Sequence, residues 1–265
     1  MADLIIFSGQ SNMQGETERR HEKNDAVKGA MEYHFLTDEL VELRHPVGED
    51  IDTEGKFFPN PQDVAYKERV ERGALFRSCK GNSNMVPFFC EEYVKITGRE
   101  VVACHCAKGS TVLAYWQKGE IGYEMLLKKA SAAIKKVNPE HIYFIWLQGE
   151  SDAICSTSKD GYKKGMLKLN EDLKKDLGIE IFANILVGRF TGTEKDDEII
   201  NAQIELCREN PDFIMATDII KDIWLKEEYM NPEVAGHLSA TGQEIVGIAA
   251  AKGLCEALKI GKAEN

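Results

Sequence analysis

The chain has 265 residues, of which 43% are hydrophobic and 29% charged, and its formal charge is −11. That length can bury a full core, as one large domain or two small ones, with one domain the expectation. The negative balance argues against a nucleic-acid or anionic-membrane surface, and no apolar run is long enough to cross a membrane. Small, uncharged or weakly charged substrates fit such a chain better than polyanions.

Seven cysteines make an odd count, without a CxxC pair or a Cys/His cluster of zinc spacing. No metal or organic cofactor is expected, and the thiols read as small buried hydrophobes. Cys104 and Cys106 are assigned to opposite faces of a strand and so are not expected to meet. The first strand starts within three residues of Met1, so no leader is expected in the chain as it stands, and a cytoplasmic location is the expectation.

In chain order, Leu4-Ile5-Ile6-Phe7 reads as a buried strand running into Ser8-Gly9-Gln10-Ser11-Asn12-Met13. A strand end that delivers a hydroxyl into a turn can present a nucleophile, with its own N–H beside a developing oxyanion. Ser11 can equally be a helix cap. Residues 16 to about 82 are irregular, rich in turn signals such as Pro46, Gly48, Gly55, Pro59 and Pro61. They read as an insertion lining one rim of a site, with a small hairpin from Ala30 to Leu43.

From Val86 onward the pattern changes. A helix is expected over Phe88–Ile96, a strand over Val101–Cys106 and a helix over Tyr123–Val137. A strand follows at His141–Leu147, then a helix at Lys159–Leu177 and a strand at Ile179–Val187. The last elements are a helix over Lys195–Glu209, a short strand at Asp212–Ala216 and a helix over Ala240–Leu258. Strands that alternate with helices and are nearly continuously apolar indicate a parallel sheet covered on both faces. The polar loops that begin near Ser8, Ala107 and Gln148 then share the carboxyl edge, where ligands bind.

Several residues on that edge can carry acyl-transfer chemistry. His237, in the loop ahead of the last helix, can deprotonate Ser11 or can be an ordinary solvated histidine. Gly109 offers an unobstructed N–H, or is a plain turn glycine. Gln148 can supply an amide donor or bond to neighbouring loops. Glu150 and Asp152 can be an acid/base pair, although fixing their own loop is the better fit. GxGxxG and GxxxxGK[ST] are both absent, which counts against a nucleotide enzyme.

Gly9-Gln10-Ser11-Asn12-Met13, Gln148-Gly149-Glu150-Ser151-Asp152 and His237-Leu238-Ser239 together resemble the SGNH hydrolases. Within them they look like the carbohydrate acetylesterase branch that includes sialate O-acetylesterases and acetylxylan esterases. The resemblance implies a three-layer α/β/α, flavodoxin-like parallel sheet of five strands. It implies Ser11 as nucleophile, His237 as base, and an oxyanion hole made by the N–H groups of Ser11 and Gly109 with the Gln148 amide. The substrate it implies is a small acetylated sugar, with O-acetylated sialic acid ahead of acetylated xylan.

One position departs from the family pattern: the aspartate expected three residues before the histidine is Val234. Glu233, a backbone carbonyl near Val234, or Asp218 can orient the ring instead, with Glu233 the first choice. A sialate carboxylate calls for a cation, for which Arg19, Arg44, Arg72 and Arg77 are candidates. A carbohydrate-binding protein that kept the fold but lost the chemistry is the competing expectation.

Overall fold

A computed structural model describes residues 2–23, 25–45, 47–48, 82–224 and 226–261. Most of the expected insertion, including Arg72 and Arg77, lies outside the described residues. A seven-stranded sheet runs through the molecule, built from β1 (Asp3–Gly9), β2 (Ala30–His34), β3 (Glu39–Glu42), β4 (Val101–His105), β5 (Ile142–Leu147), β6 (Ile181–Ile185) and β7 (Phe213–Thr217). The order is β3-β2-β4-β1-β5-β6-β7, and every pair is parallel except β2 with β3. The five expected parallel strands form the flavodoxin-like core, with β1 at its switch point. The two extra strands are the expected hairpin, which does not stand apart: β2 pairs in parallel with β4 and widens the sheet at one edge.

The helices are α1 (Ser11–Gln14), α2 (Val86–Thr97), α3 (Ile121–Val137), α4 (Glu150–Ile154), α5 (Lys159–Leu177), α6 (Glu194–Glu209), α7 (Ile220–Ile223) and α8 (Ala240–Leu258). A strand alternates its side chains between faces, so the strands feed two cores. Leu4, Ile6, Phe144, Trp146 and Phe182 pack with α3, α5 and α6. Ile5, Phe7, Tyr143, Ile145 and Leu147 pack with α2 and α8. The same period corrects the cysteine expectation: Cys104 and Cys106 share a face and a core, with their sulfurs 3.8 Å apart. Among the described residues no helix is long and apolar enough to cross a membrane.

Gly9 ends β1 with φ +143°, and a Cβ there would stand 2.0 Å from the Leu147 carbonyl oxygen. Only glycine lets the two strand ends close to this distance. The Gln10 N–H then donates to the Leu147 carbonyl at 3.0 Å, and the chain turns into α1 with Ser11 as its first residue. Strand pairing alone therefore sets the height at which the serine leaves the sheet.

Candidate active site

Ser11 and His237 meet at the carboxyl edge. The serine Oγ donates to His237 Nε2 at 2.8 Å, across 226 residues of chain. On the other side of the ring, Nδ1 lies 3.0 Å from the Ala235 carbonyl oxygen. A carbonyl only accepts, so Nδ1 carries the proton and Nε2 is the acceptor. That tautomer is the one a general base needs.

Glu233 does not serve the ring. Its side chain is exposed, its N–H donates to Asn231 Oδ1, and no hydrogen bond or ion pair joins it to His237 among the described residues. The extra residue between Glu233 and the histidine, compared with the family spacing, turns the carboxylate outward. The carbonyl alternative is the arrangement present, supplied by Ala235, next to Val234. Asp218 pairs with Lys221 instead.

The histidine loop is held by its neighbours. Asn12 Nδ2 donates to the Gly236 carbonyl at 3.2 Å, and Asn12 Oδ1 accepts from the Leu238 N–H at 2.9 Å. Ser239 caps α8, accepting from the Gly242 N–H. Gly236 has φ +75°, and a Cβ there would lie 2.2 Å from the Phe190 ring. Phe190 in turn meets the imidazole edge-to-face, with ring centroids 6.0 Å apart. Asn12 and Phe190 were not singled out from the sequence. Asn12 lies inside the recognised motif, whereas nothing in the sequence marks a loop phenylalanine as a neighbour of the base.

The oxyanion donors divide. The N–H of Ser11 opens α1, where a helix provides it no acceptor. The Gly109 N–H donates to Gln14 Oε1 at 2.8 Å, so the Gln14 side chain must give way before that donor is free.

Gln148 is a correction. Its side chain is fully buried, and Nε2 donates to Asp152 Oδ2 at 2.6 Å and Thr111 O at 2.9 Å, with Gln10 Oε1 at 3.2 Å. Its Oε1 accepts from the Tyr162 hydroxyl at 2.9 Å. Two N–H groups are spent on acceptors already present. The reason is parity: Gln148 shares the face of Trp146, which packs toward α5, away from the histidine loop.

Asp152 accepts from Gln148, from the Leu113 N–H at 2.7 Å and from Thr157 Oγ1 at 2.8 Å. Burial nonetheless raises its pKa above the usual carboxylate value. Glu150 is as deeply buried as Asp152. One oxygen accepts from Asn12 Nδ2 at 2.8 Å, and Oε2 has no hydrogen-bond partner. Burial raises its pKa too, opposed by the Asn12 hydrogen bond and by the field of His237. Asn12 Nδ2 thus bridges Glu150 and the Gly236 carbonyl beside His237.

Glu16 completes the site and was not foreseen. Its Oε2 lies 3.5 Å from His237 Nε2. Of the arginine candidates described, Arg19 pairs with Glu18 and Glu22, and Arg44 with Glu42 on the hairpin.

Known proteins agree with this architecture. A probable carbohydrate esterase of Arabidopsis thaliana is 27% identical over 147 residues, 56% of this chain and 52% of that protein, so the alignment spans about half the relative's length. A solved Arabidopsis thaliana structure superposes with a TM-score of 0.70 at 19% identity, covering 97% of this chain and 98% of that one. A carbohydrate acetylesterase from Sinorhizobium meliloti gives a TM-score of 0.52 at 13% identity, covering 97% and 99%. These structural likenesses speak to the fold, which is that of the SGNH-type hydrolases. The family model described as "carbohydrate esterase, sialic acid-specific acetylesterase" matches residues 1–256, nearly the whole chain, and the chain belongs to that family.

Proposed function

We propose that the protein is a serine-dependent O-acetylesterase of sugars, working through a Ser11–His237 pair. The observation that carries the reading is the 2.8 Å Ser11–His237 hydrogen bond, with the ring held in the base tautomer by the Ala235 carbonyl. Ser11 Oγ attacks the acetyl carbonyl carbon while His237 Nε2 takes the hydroxyl proton. The Ser11 N–H holds the oxyanion, joined by the Gly109 N–H once Gln14 swings aside. The tetrahedral intermediate collapses, the sugar oxygen leaves with the proton from His237, and an acetyl-serine remains. Water, deprotonated by the same nitrogen, releases acetate and restores the serine.

A carbonyl stabilises the imidazolium less than a carboxylate would. Glu150 supports the charged ring from a distance, which is the role its electrostatic coupling to His237 suits. Phe190, partly exposed beside the base, suits a stacking surface for a pyranose ring or acyl methyl.

O-acetylated sialic acid is the first substrate to test, because of the family's description, and acetylated xylan fragments the second. The sialate reading needs a cation, and the two described arginine candidates are committed to acids. The experiment is acetate release from p-nitrophenyl acetate, 9-O-acetylated sialic acid and acetylated xylo-oligosaccharide, with wild type beside Ser11→Ala. Serine-dependent release, falling by about 10⁴-fold or more in the variant, is expected. Equal release by both proteins, or none from any ester by the folded wild type, sinks the proposal.

A further inference from the structure

Glu16 has no task in the reaction just described, yet it stands at its centre. It follows Gly15, which closes the serine turn in the left-handed region at φ 95°. Its backbone is tied from both sides: the N–H donates to the Ser11 carbonyl at 3.3 Å, and its carbonyl accepts from Asn231 Nδ2 at 2.8 Å. The carboxylate is thus carried at a defined place. One oxygen lies 3.5 Å from His237 Nε2, the nitrogen that receives the serine proton. The other lies 2.9 Å from where a Cβ on Gly109 would be, at the mouth of the oxyanion site. The Glu16 side chain is 40% exposed, against 11% for that of His237.

Among the described residues, His237 is the only basic group within 4.0 Å of the Glu16 carboxylate. In the geometry present, that nitrogen accepts the Ser11 hydrogen bond and so has no N–H directed at the carboxylate. Glu18 adds a second acid nearby, already occupied by the Ala240 N–H and Arg19.

We propose that Glu16 is a specificity-determining residue that filters substrates by charge. It opposes sugars bearing a carboxylate near the acetyl ester and admits uncharged ones. The proposal rests on the esterase reading for what the pocket receives, and within that reading it favours neutral acetylated sugars over sialate. Two like charges about 7 Å apart in a half-solvated site differ from a charge–neutral pair by about five- to tenfold in affinity. On a single substrate Glu16 acts in opposite senses: it favours the imidazolium and disfavours the oxyanion. Comparing a charged with an uncharged sugar isolates the filter from both.

The test uses binding in Ser11→Ala, which does not depend on turnover. An O-acetylated methyl glucuronide and its methyl ester, differing by one charge, are titrated by NMR at low salt. The ester is expected to bind about five- to tenfold more tightly. The gap should fall below about twofold in Ser11→Ala/Glu16→Gln, and also at about 0.5 M salt, where screening is short-ranged. Equal affinities with Glu16 present, a gap that survives Glu16→Gln, or no binding of either sugar overturns the proposal. Failure of the esterase reading shows separately, as absence of serine-dependent acetate release alongside an intact binding gap.

Discussion

The loop after β5 and the loop before α8 both reach the carboxyl edge, but they are built in opposite ways. In residues 148–152 nearly every polar side chain is buried and spent on its neighbours. Gln148, Asp152, Gln10, Tyr162 and Gln203 form one connected network, with Gln203 Nε2 donating to the Gln148 carbonyl at 2.8 Å. In residues 231–239 the side chains of Glu233, Val234 and Ala235 face solvent, and the shape is held by backbone groups, Asn231 and Asn12. In the first loop Gln148 and Asp152 are spent on protein partners, and Glu150 keeps one buried oxygen without one. The second holds its histidine through Nδ1 on the Ala235 carbonyl and leaves Nε2 on the Ser11 hydroxyl. Positioning and chemistry are thus divided between two loops that a motif search treats alike.

The largest effect that could break this contrast is Gln148→Ala. It strands Asp152, Thr111 and Tyr162 in a buried site, and a loss of about 2–4 kcal/mol in urea unfolding is expected. The remaining folded protein should keep kcat within about tenfold, whereas an oxyanion donor would cost about 10²–10³. A kcat collapse with unchanged stability would return Gln148 to the oxyanion hole.

Glu150→Gln sharpens the contrast, because this residue touches both loops. Losing the carboxylate is expected to lower kcat by about tenfold, through poorer support of the imidazolium. Stability moves the other way. The folded protein holds the Glu150 proton more tightly than the unfolded chain, so its contribution is complete below the unfolded pKa and is lost as pH rises through the folded one. The variant should therefore melt higher than wild type at neutral pH, with the difference vanishing near about pH 4. A lower melting temperature at neutral pH would contradict the burial argument. Glu233→Gln carries the smallest effect, less than about twofold in kcat/KM, since exposed carboxylates at a distance are screened. A tenfold loss would show that the ring reaches Glu233 during turnover.

Much of this arrangement was legible in the residues. The strand runs are apolar enough to be recognised singly, and α8 begins and ends where Ser239 and the apolar spacing put it. The hairpin was visible as alternation around Thr37-Asp38, but its docking onto β4 was not, because edge pairing is a tertiary choice that local patterning does not encode. The meeting of Ser11 with His237 was foreseeable because acyl-transfer chemistry would need those two side chains together. Gln148 was misjudged although parity with Trp146 already assigned its face. Glu16 was hidden for a different reason: a charged residue opening an irregular segment looks like solvent-facing filler until the turn at Gly15 folds it back over the histidine.

The central position of β1 has a consequence for how the protein comes into being. The serine and the histidine that meet at the carboxyl edge lie 226 positions apart in the chain. A ribosome releasing the chain from its N-terminus therefore presents Ser11 well before the histidine that it meets in the folded protein. The Ser11–His237 contact can form only after β5 has been laid beside β1 and the segment bearing His237 has docked at the carboxyl edge. Such sequence-distant closure is entropically demanding and slow. The onset of ester cleavage would thus time the last event of assembly rather than the first.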